Sequence, residues 1–374
     1  MQYLNEKTGG NAGTDKPADI NPYPIIFSRK IKSTIWGGFR LYPGASCETV
    51  DIADCPRVGE IWSLCENHNI VALNGGYKLL PLDDILKDLP SAFFGEKYGG
   101  GRDQKDSFPF ILKIIDANDR LSIQLHPNDE MARKIENYYC GKTEMWYVLD
   151  AQQDSEIILG FNQKIDEETF RRHIKNNSLE SVLNHVRVKK GDCFIIYPGT
   201  VHAIGKGVLI AEIQQNCDIT YRVYDYARLD SDGKARQLHI EKAIKCVDYA
   251  RINLGGCSES GRYQINEGSV RHINSNEFFD VMIFESPAGK GIDCSLKLPV
   301  FSVFMNIGED AFISYGDNCC DYFPKYSALL MPADYNGVHF EPADGEKGIT
   351  MLQAFTLPDT PDKFNLINQI YANS

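Results

Sequence analysis

The sequence lacks the features that mark membrane, secreted and nucleic-acid-binding proteins. No stretch approaches the roughly 18 consecutive apolar residues of a membrane-spanning helix, and the first twenty residues contain no apolar core of a secretion signal. Basic residues are also scarce: 39 Lys and Arg stand against 51 Asp and Glu, which gives a net charge of −12. Such a surface disfavours nucleic acid, and it disfavours anionic ligands unless basic groups are concentrated in one pocket. We therefore predict a cytoplasmic protein without nucleic-acid or membrane partners, and the sequence carries no signal for an oligomeric state.

The cysteines lack the spacing of a disulfide framework or a thiolate zinc site. There are 11 of them, an odd number, and no two are arranged as Cys-x-x-Cys. In a cytosolic protein, thiols of this kind are reduced and pack as small apolar side chains. We therefore expect no disulfide.

Helical periodicity is also rare, whereas short apolar or alternating runs broken by Gly, Pro, Asn and Asp fill most of the chain. This pattern is typical of a β-sandwich or barrel, and 374 residues are enough for two lobes. We predict a mostly β protein of the cupin or jelly-roll type with a few short helices. The expected divisions are a flexible tail over residues 1–21, a metal-binding catalytic domain over 22–250 and a metal-free cupin-like β domain over 251–374.

Local signals place the secondary structure more closely. Capping and first-turn acidic residues predict four helices, and apolar runs predict strands in the second half. The predicted helices are 82–89, 129–138, 167–182 and 239–247, and the predicted strands are 278–284, 300–307, 327–331 and 350–355.

Three segments carry candidate metal ligands. Gln124 and His126 share one face of a strictly alternating strand, and Glu144 shares a face with Lys142 on another. His202 follows a Pro-Gly turn, which fixes the position of its imidazole. Taken singly, each of the first two segments also fits an ordinary half-exposed strand. The histidine of the third segment also fits a side chain that only satisfies a hydrogen bond of the turn.

Taken together, Gln124, His126, Glu144 and His202 supply two imidazoles, one carboxylate and one amide oxygen. This set suits one divalent ion with a position left for water or substrate. Without thiolates, Zn²⁺ fits the set, and Mn²⁺, Fe²⁺, Co²⁺ and Ni²⁺ stay open. The order of the ligands resembles that of a cupin barrel.

A fourth segment, 209–228, adds charged candidates. Glu212 lies on one strand face, and Asp218 and Arg222 share a second alternating register. Arg222 and Arg228, together with Lys142, are candidates for the local positive charge that binds an anionic substrate in an acidic protein. The alternative is a charged cluster at a sheet edge.

At the level of whole motifs, the sequence resembles the type I mannose-6-phosphate isomerases, in particular their short bacterial branch. The resemblance covers residues 24–247 and fades beyond them. The motifs that carry it are IWGG (35–38), GEIW (59–62), FPFILK (108–113), QLHP (124–127), KTE (142–144), PGTVHAIG (198–205), EIQQ (212–215), TYRVYD (220–225) and HIEKA (239–243).

The resemblance implies a zinc-dependent isomerase that interconverts mannose 6-phosphate and fructose 6-phosphate through a metal-stabilised enediolate. It places the metal on Gln124, His126, Glu144 and His202 and assigns active-site roles to Lys142, Asp218 and Arg222. Longer family members carry a sizeable helical domain between the motif of Glu144 and the motif of His202. Here that interval contains only the helix predicted at 167–182, so any residues carried by that domain cannot be transferred.

Several roles stay open at this stage. Lys142 and Arg222 each fit enediolate stabilisation or phosphate binding, and Glu212 is one candidate for the base. Trp36 either forms a wall of the cavity that faces the sugar or packs in the apolar core. The rival functions are another cupin metalloenzyme, such as a different sugar-phosphate isomerase or an iron dioxygenase, and a non-catalytic sugar-phosphate sensor.

Overall fold

The structure is a computed structural model that describes most of the chain. The described residues are 22–41, 57–95, 108–229, 233–249, 257, 261–294, 297–357, 360 and 362–372. The predicted flexible tail, residues 1–21, lies outside them.

Strands dominate the described residues, as predicted. In the first half of the chain they are β1 (Ile25–Ile26), β2 (Lys30–Gly38), β3 (Val58–Leu64), β4 (Phe110–Ala117), β5 (Ile123–Leu125), β6 (Glu144–Ala151), β7 (Glu156–Phe161), β8 (Leu183–Arg187), β9 (Cys193–Ile196), β10 (His202–Ile204), β11 (Val208–Gln215) and β12 (Tyr221–Tyr224). In the second half they are β13 (Gly261–Ile265), β14 (Gly268–Ser275), β15 (Asp280–Glu285), β16 (Ile292–Cys294), β17 (Ser302–Asn306), β18 (Ala311–Tyr315), β19 (Cys319–Phe323), β20 (Ala328–Met331), β21 (Val338–Pro342) and β22 (Thr350–Phe355).

The helices are few and short. They are α1 (Leu82–Asp88), α2 (Ser91–Phe94), α3 (Asp129–Glu136), α4 (Glu167–Lys175), α5 (Ile240–Ile244) and α6 (Lys363–Ala372). All four predicted helices are present, although the one predicted at 167–182 ends as α4 at Lys175 and continues only as a 3₁₀ turn at Leu179–Val182. The predicted cap of α3 is confirmed, because the Asn128 side chain accepts a hydrogen bond from the backbone of Met131. The sequence did not predict α2 or α6. None of the helices in the described ranges has the length and apolar character that a membrane span requires.

In the described ranges, four sheets stack as two β-sandwiches. The first sandwich pairs a five-stranded sheet, β12-β5-β10-β7-β8, with a six-stranded sheet, β2-β3-β4-β11-β6-β9. The second pairs a seven-stranded sheet, β1-β20-β17-β22-β15-β14-β13, with a four-stranded sheet, β16-β21-β18-β19. A large apolar core joins the six-stranded and seven-stranded sheets back to back, so the sandwiches share one packed interface.

Side-chain alternation gives each strand of the six-stranded sheet two different faces. On β11, Leu209, Ala211 and Ile213 pack toward the second sandwich, whereas Val208 and Ile210 point into the first. Glu212, at the same period as Val208 and Ile210, therefore points into the first sandwich as well. The same rule on β5 sends Ile123 and Leu125 outward, under α4 and α5, and turns Gln124 inward.

The sheets do not follow the predicted division at residue 250 throughout, because one strand near the N-terminus lies in a sheet of the C-terminal lobe. Strand β1 pairs with β20 and so joins the seven-stranded sheet of the second sandwich. The buried Asn74 side chain fixes this crossing: it accepts from the backbone of Ile26 and donates to Tyr315 and Asp321 of the second sandwich. A short N-terminal segment therefore belongs structurally to the C-terminal lobe.

One cysteine pair corrects the expectation of wholly reduced thiols. Cys193 at the start of β9 forms a disulfide with Cys257, with their Cα atoms 5.1 Å apart. The Cys257 backbone also donates to the Cys193 carbonyl. The partners lie 64 residues apart in sequence, a separation from which pairing cannot be deduced.

Candidate metal centre and substrate cavity

Three of the predicted ligands converge inside the first sandwich. His126 follows β5, Glu144 begins β6 and His202 begins β10, and one ligand atom from each lies within 4.8 Å of the others. All three side chains are buried. The predicted turn helps to hold the imidazoles together, because Gly199 adopts a left-handed conformation, with φ of 82°, and donates to the carbonyl of His126.

The hydrogen bonds of the two histidines leave the same ring nitrogen of each facing the group. His126 Nδ1 lies 2.8 Å from the Ile219 carbonyl and His202 Nδ1 lies 2.9 Å from the Thr200 carbonyl. Each Nδ1 must donate to a carbonyl, so each Nε2 keeps its lone pair. Histidine ligands of metals are commonly oriented in this way.

The ligand atoms that face one another have no hydrogen-bond partner. His126 Nε2, His202 Nε2 and Glu144 Oε2 are fully buried without one, although His126 Nε2 lies 3.2 Å from Glu144 Oε1. Leaving such a group unsatisfied costs about 1–3 kcal/mol. A divalent cation would satisfy all three at once, so the donor set fits the metal that the sequence predicts.

Electrostatics hold these ligands in the protonation states that a metal needs. Burial, together with neighbouring His126, lowers the pKa of His202 to about 3, and burial also lowers the pKa of His126. Burial opposes a charge on Glu144, but Lys142 and the imidazoles outweigh it and set its pKa well below the usual value. Both imidazoles are therefore neutral and the carboxylate is charged at neutral pH.

The fourth predicted ligand, Gln124, is brought to the same place by strand pairing. It lies directly opposite His202 between β5 and β10, and opposite Arg222 between β5 and β12. Its Oε1 accepts a hydrogen bond from Ser122, and Ser122 in turn accepts one from Arg222 Nε. Ser122 was not singled out from the sequence; it links the predicted ligand to the predicted cation.

A cavity of about 380 Å³ opens on this group. The predicted site residues that line it come from both sheets of the first sandwich: Trp36, Gln124, Lys142, His202, Glu212, Asp218 and Arg222. Trp36 lines the cavity and is also 4% exposed within the apolar core, so both interpretations of this residue describe part of its environment.

Lys142, just before β6, and Glu212, on β11, both line the cavity beside the metal group. Lys142 Nζ is 2.6 Å from Glu144 Oε1, and the surrounding carboxylates raise its pKa against the opposing effect of burial. Glu212 accepts from Trp146 Nε1 at 3.1 Å. Burial, reinforced by the charge on Glu144, raises the pKa of Glu212 to about 7.

Lys113 is a cavity residue that the sequence interpretation missed. It faces Glu212 across β4 and β11, and its Nζ lies 3.2 Å from Asp218 Oδ1 and 4.1 Å above the Trp62 ring. Desolvation at the cavity wall opposes the charge on Asp218, although its side chain is 56% exposed, but Lys113 and Lys142 outweigh this effect and lower its pKa to about 2. The sequence pattern could have identified it, because Lys113 is the one charged residue in the apolar run 108–115, and a buried charge needs a partner.

Arg228 is the one predicted substrate-binding residue that the structure does not place at the cavity. Its guanidinium pairs with Asp225 at 2.5 Å and donates to the carbonyl of Arg120. Arg236, from the segment that follows, lines the cavity instead.

Comparisons with known proteins agree with this geometry. The family model for the phosphomannose isomerase type I catalytic domain matches residues 26–170. Mannose-6-phosphate isomerase ManA of Bacillus subtilis is 41% identical over 231 residues, which cover 61% of this chain and 69% of ManA. YvyI of the same organism is 33% identical over 315 residues, which cover 83% of this chain and 93% of YvyI.

Solved structures extend the similarity to both sandwiches. The crystal structure of the mannose 6-phosphate isomerase from B. subtilis superimposes with a TM-score of 0.75 at 27% identity and covers 89% of this chain and 99% of its own. A zinc-bound mannose 6-phosphate isomerase gives a TM-score of 0.62 at 12% identity, covering 88% of this chain and 98% of its own, which is a likeness of fold. The predicted cupin-type fold is confirmed.

Proposed function

The chain belongs to the type I phosphomannose isomerase family, and we propose that it interconverts mannose 6-phosphate and fructose 6-phosphate with the help of one divalent metal ion. His126, Glu144 and His202 would hold the ion, with Gln124 as a fourth, neutral ligand. The observation that carries the metal requirement is the set of three buried ligand atoms that face one another without partners.

Zinc is the proposed ion. Two neutral imidazoles, one carboxylate and one amide oxygen form a donor set of nitrogen and oxygen atoms that suits Zn²⁺ and leaves access for substrate oxygens. When bound, the ion supplies Lewis acidity that stabilises negative charge on the oxygens of C1 and C2.

Two further roles, stabilisation of the enediolate and transfer of the proton, fall to side chains around the metal position. An enediolate carries negative charge that a buried cation stabilises strongly, and Lys142 is a charged lysine beside the metal group. We assign enediolate stabilisation to Lys142.

Transfer of the proton between C2 and C1 requires a base that can also return the proton. Two cavity carboxylates compete for this role. Asp218 is held ionised by Lys113, and its pKa of about 2 makes it a weak base. Glu212 is buried and has a pKa of about 7, a value suited to accepting and releasing a proton at neutral pH. We therefore assign the base to Glu212, and to Asp218 the role of positioning Lys113.

An assay of purified protein tests the proposal. Mannose 6-phosphate is supplied, fructose 6-phosphate is measured, and the assay is repeated after chelation and after zinc is added back. We expect turnover that disappears on chelation and returns with zinc. Activity that survives complete removal of metal contradicts the metal requirement, and binding of mannose 6-phosphate without any turnover supports the sensor alternative.

A further inference from the structure

We propose that Arg236 and Arg222 form the subsite for the phosphate group of the substrate, with Arg236, rather than Arg228, as the second guanidinium. This inference rests on the proposed function, since it identifies the end of the cavity that binds the phosphorylated carbon. It follows from the distribution of charge along the cavity wall.

The lysines of the cavity are already paired with carboxylates. Lys32 Nζ lies 3.3 Å from Glu60, Lys113 Nζ lies 3.2 Å from Asp218, and Lys142 Nζ lies 2.6 Å from Glu144. Each ammonium group is matched by a carboxylate beside it, so this side of the cavity has no excess of positive charge to hold a phosphate dianion, although Lys142 still lies within direct reach of oxygens at the metal group.

The arginine corner, defined as Arg222, Asp225, Arg228 and Arg236, has the opposite balance. Asp225 is the buried carboxylate that both Arg228 and Arg236 contact, each at 2.5 Å. Within the described part of the chain, no carboxylate lies within 4.0 Å of the Arg222 guanidinium. The two cavity-lining guanidiniums, Arg222 and Arg236, outnumber the single carboxylate of Asp225, so positive charge remains in excess at the cavity wall even without Arg228. A phosphate dianion complements it, because guanidinium groups bind phosphate with strong charge-assisted hydrogen bonds.

Backbone contacts hold the two cavity-lining arginines next to each other. Arg222 donates from Nη1 to the Gln237 carbonyl, and its backbone N–H lies 3.2 Å from His239 Nδ1. The His239 backbone donates back to the Arg222 carbonyl at 2.7 Å. The segment 236–239 therefore lies alongside β12, and both Arg222 and Arg236 line the same cavity.

Asp225 aims the Arg236 side chain in a defined direction. It accepts from Arg236 Nε at 2.7 Å and from Nη2 at 2.5 Å. This two-point contact fixes the plane of the guanidinium. Among the described residues no partner of Nη1 is found, so this nitrogen is open to a ligand. Arg228 donates one hydrogen bond from Nη2 to the same carboxylate and another from Nη1 to the Arg120 carbonyl. Both groups are therefore engaged inside the protein.

The corner also lies close to the metal group. Arg222 Nε donates to Ser122, which donates to Gln124, so one hydroxyl separates the arginine from a proposed metal ligand. A hexose phosphate whose C1 and C2 oxygens lie at the metal would then extend its phosphate toward the arginines.

The test compares Arg236→Gln with the matched variant Arg228→Gln in the metal-loaded enzyme. Steady-state assays give kcat and KM for mannose 6-phosphate, and inorganic phosphate is titrated as a competitive inhibitor. We expect Arg236→Gln to raise both the KM and the phosphate inhibition constant at least about tenfold, as loss of one charged hydrogen bond would, with kcat changed less than about threefold. Arg228→Gln should change both constants by less than about threefold.

Two results would overturn the proposal. One is an inhibition constant for phosphate that Arg236→Gln leaves unchanged; the other is an equal loss in both variants, which would assign the effect to the Asp225 network. Arg236→Lys keeps the charge and should recover part of the affinity. If the wild-type enzyme does not isomerise mannose 6-phosphate, the proposed function fails, and calorimetric titration with inorganic phosphate still tests the arginine corner separately.

Discussion

The two sandwiches are built alike but filled differently. Both place two antiparallel sheets face to face. The interior of the first contains buried charged and polar groups: Lys113, His126, Lys142, Glu144, His202, Glu212 and Gln214. The interior of the second is an apolar cluster rich in aromatic side chains, including Phe284, Phe304, Phe323, Phe340 and Phe355.

The polar groups at the centre of each sandwich differ in how they are satisfied. In the second, the Gln353 side chain donates to Ser302 at 2.9 Å and accepts from the Tyr371 hydroxyl at 2.7 Å. In the first, His126 Nε2, His202 Nε2 and Glu144 Oε2 face one another without partners. The second sandwich also buries a histidine and a carboxylate, but His272 lies 3.7 Å from Asp280, which pairs with Lys363 at 3.0 Å. Among the described residues, the first sandwich differs because three ligand atoms converge on one point, so the fold alone does not make a site.

The largest expected effect comes from removing one metal ligand. His202→Ala should lose the metal and lower kcat by at least about 10³-fold, since Lewis-acid stabilisation of the developing charge is lost. Metal content and kcat are measured on the same preparation.

The matched variant in the second sandwich is His272→Ala, which also removes a fully buried histidine. Its folded fraction should keep its metal and its kcat. Loss of bound metal in this variant would contradict the assignment of the site to the first sandwich alone.

The next effect concerns the buried cation beside the metal group. Lys142→Met keeps the length of the side chain but removes its charge, and we expect kcat to fall by about 10²–10⁴-fold with metal retained. Lys32→Met, on the exposed rim of the same cavity, should change kcat by less than about threefold. A Lys142 variant with normal kcat and raised KM would assign that lysine to substrate binding instead.

A third prediction concerns the apolar interior. Phe304→Ala should lower the free energy of unfolding by about 3–5 kcal/mol, because it leaves a cavity in the second sandwich. The kcat of the folded fraction should not change. Denaturant unfolding measures the stability, and the exposed Phe312→Ala is the control, expected to stay within about 0.5 kcal/mol. A selective loss of kcat in Phe304→Ala would show that the second sandwich supports the chemistry directly.

The smallest expected effect is that of the Cys193–Cys257 disulfide. Reduction, or Cys193→Ser, should destabilise the fold by about 2–4 kcal/mol, since the bond closes a long loop in the unfolded chain. The kcat should be unchanged, and Cys319→Ser, an exposed free thiol, should alter neither quantity. Thiol counting under non-reducing conditions detects the bond; two additional free thiols in the native protein would contradict it.

The sequence predicted features that depend on local pattern. Alternation put Gln124 on the inward face of its strand, and Asn128 marked the start of α3. The identity of all four proposed ligands also followed from residue type and spacing. The strand from Thr350 to Phe355 has the predicted bounds.

Features set by long-range pairing were not predictable in the same way. The register that puts Gln124 opposite His202 joins strands that are far apart in sequence, and β1 reaches across the chain to β20. Lys113 acquires its role only when β4 lies beside β11 and Glu212. The choice between Arg228 and Arg236 depends on how the chain turns after β12, which spacing does not specify.

The metal site of the first sandwich is tested most directly by metal analysis of the protein purified without added metal, beside the variant His126→Ala/His202→Ala. We expect close to one equivalent of a divalent first-row metal per chain in the wild type and essentially none in the double variant, with circular dichroism unchanged. Equal metal content in the two proteins would contradict the assignment of the ligands.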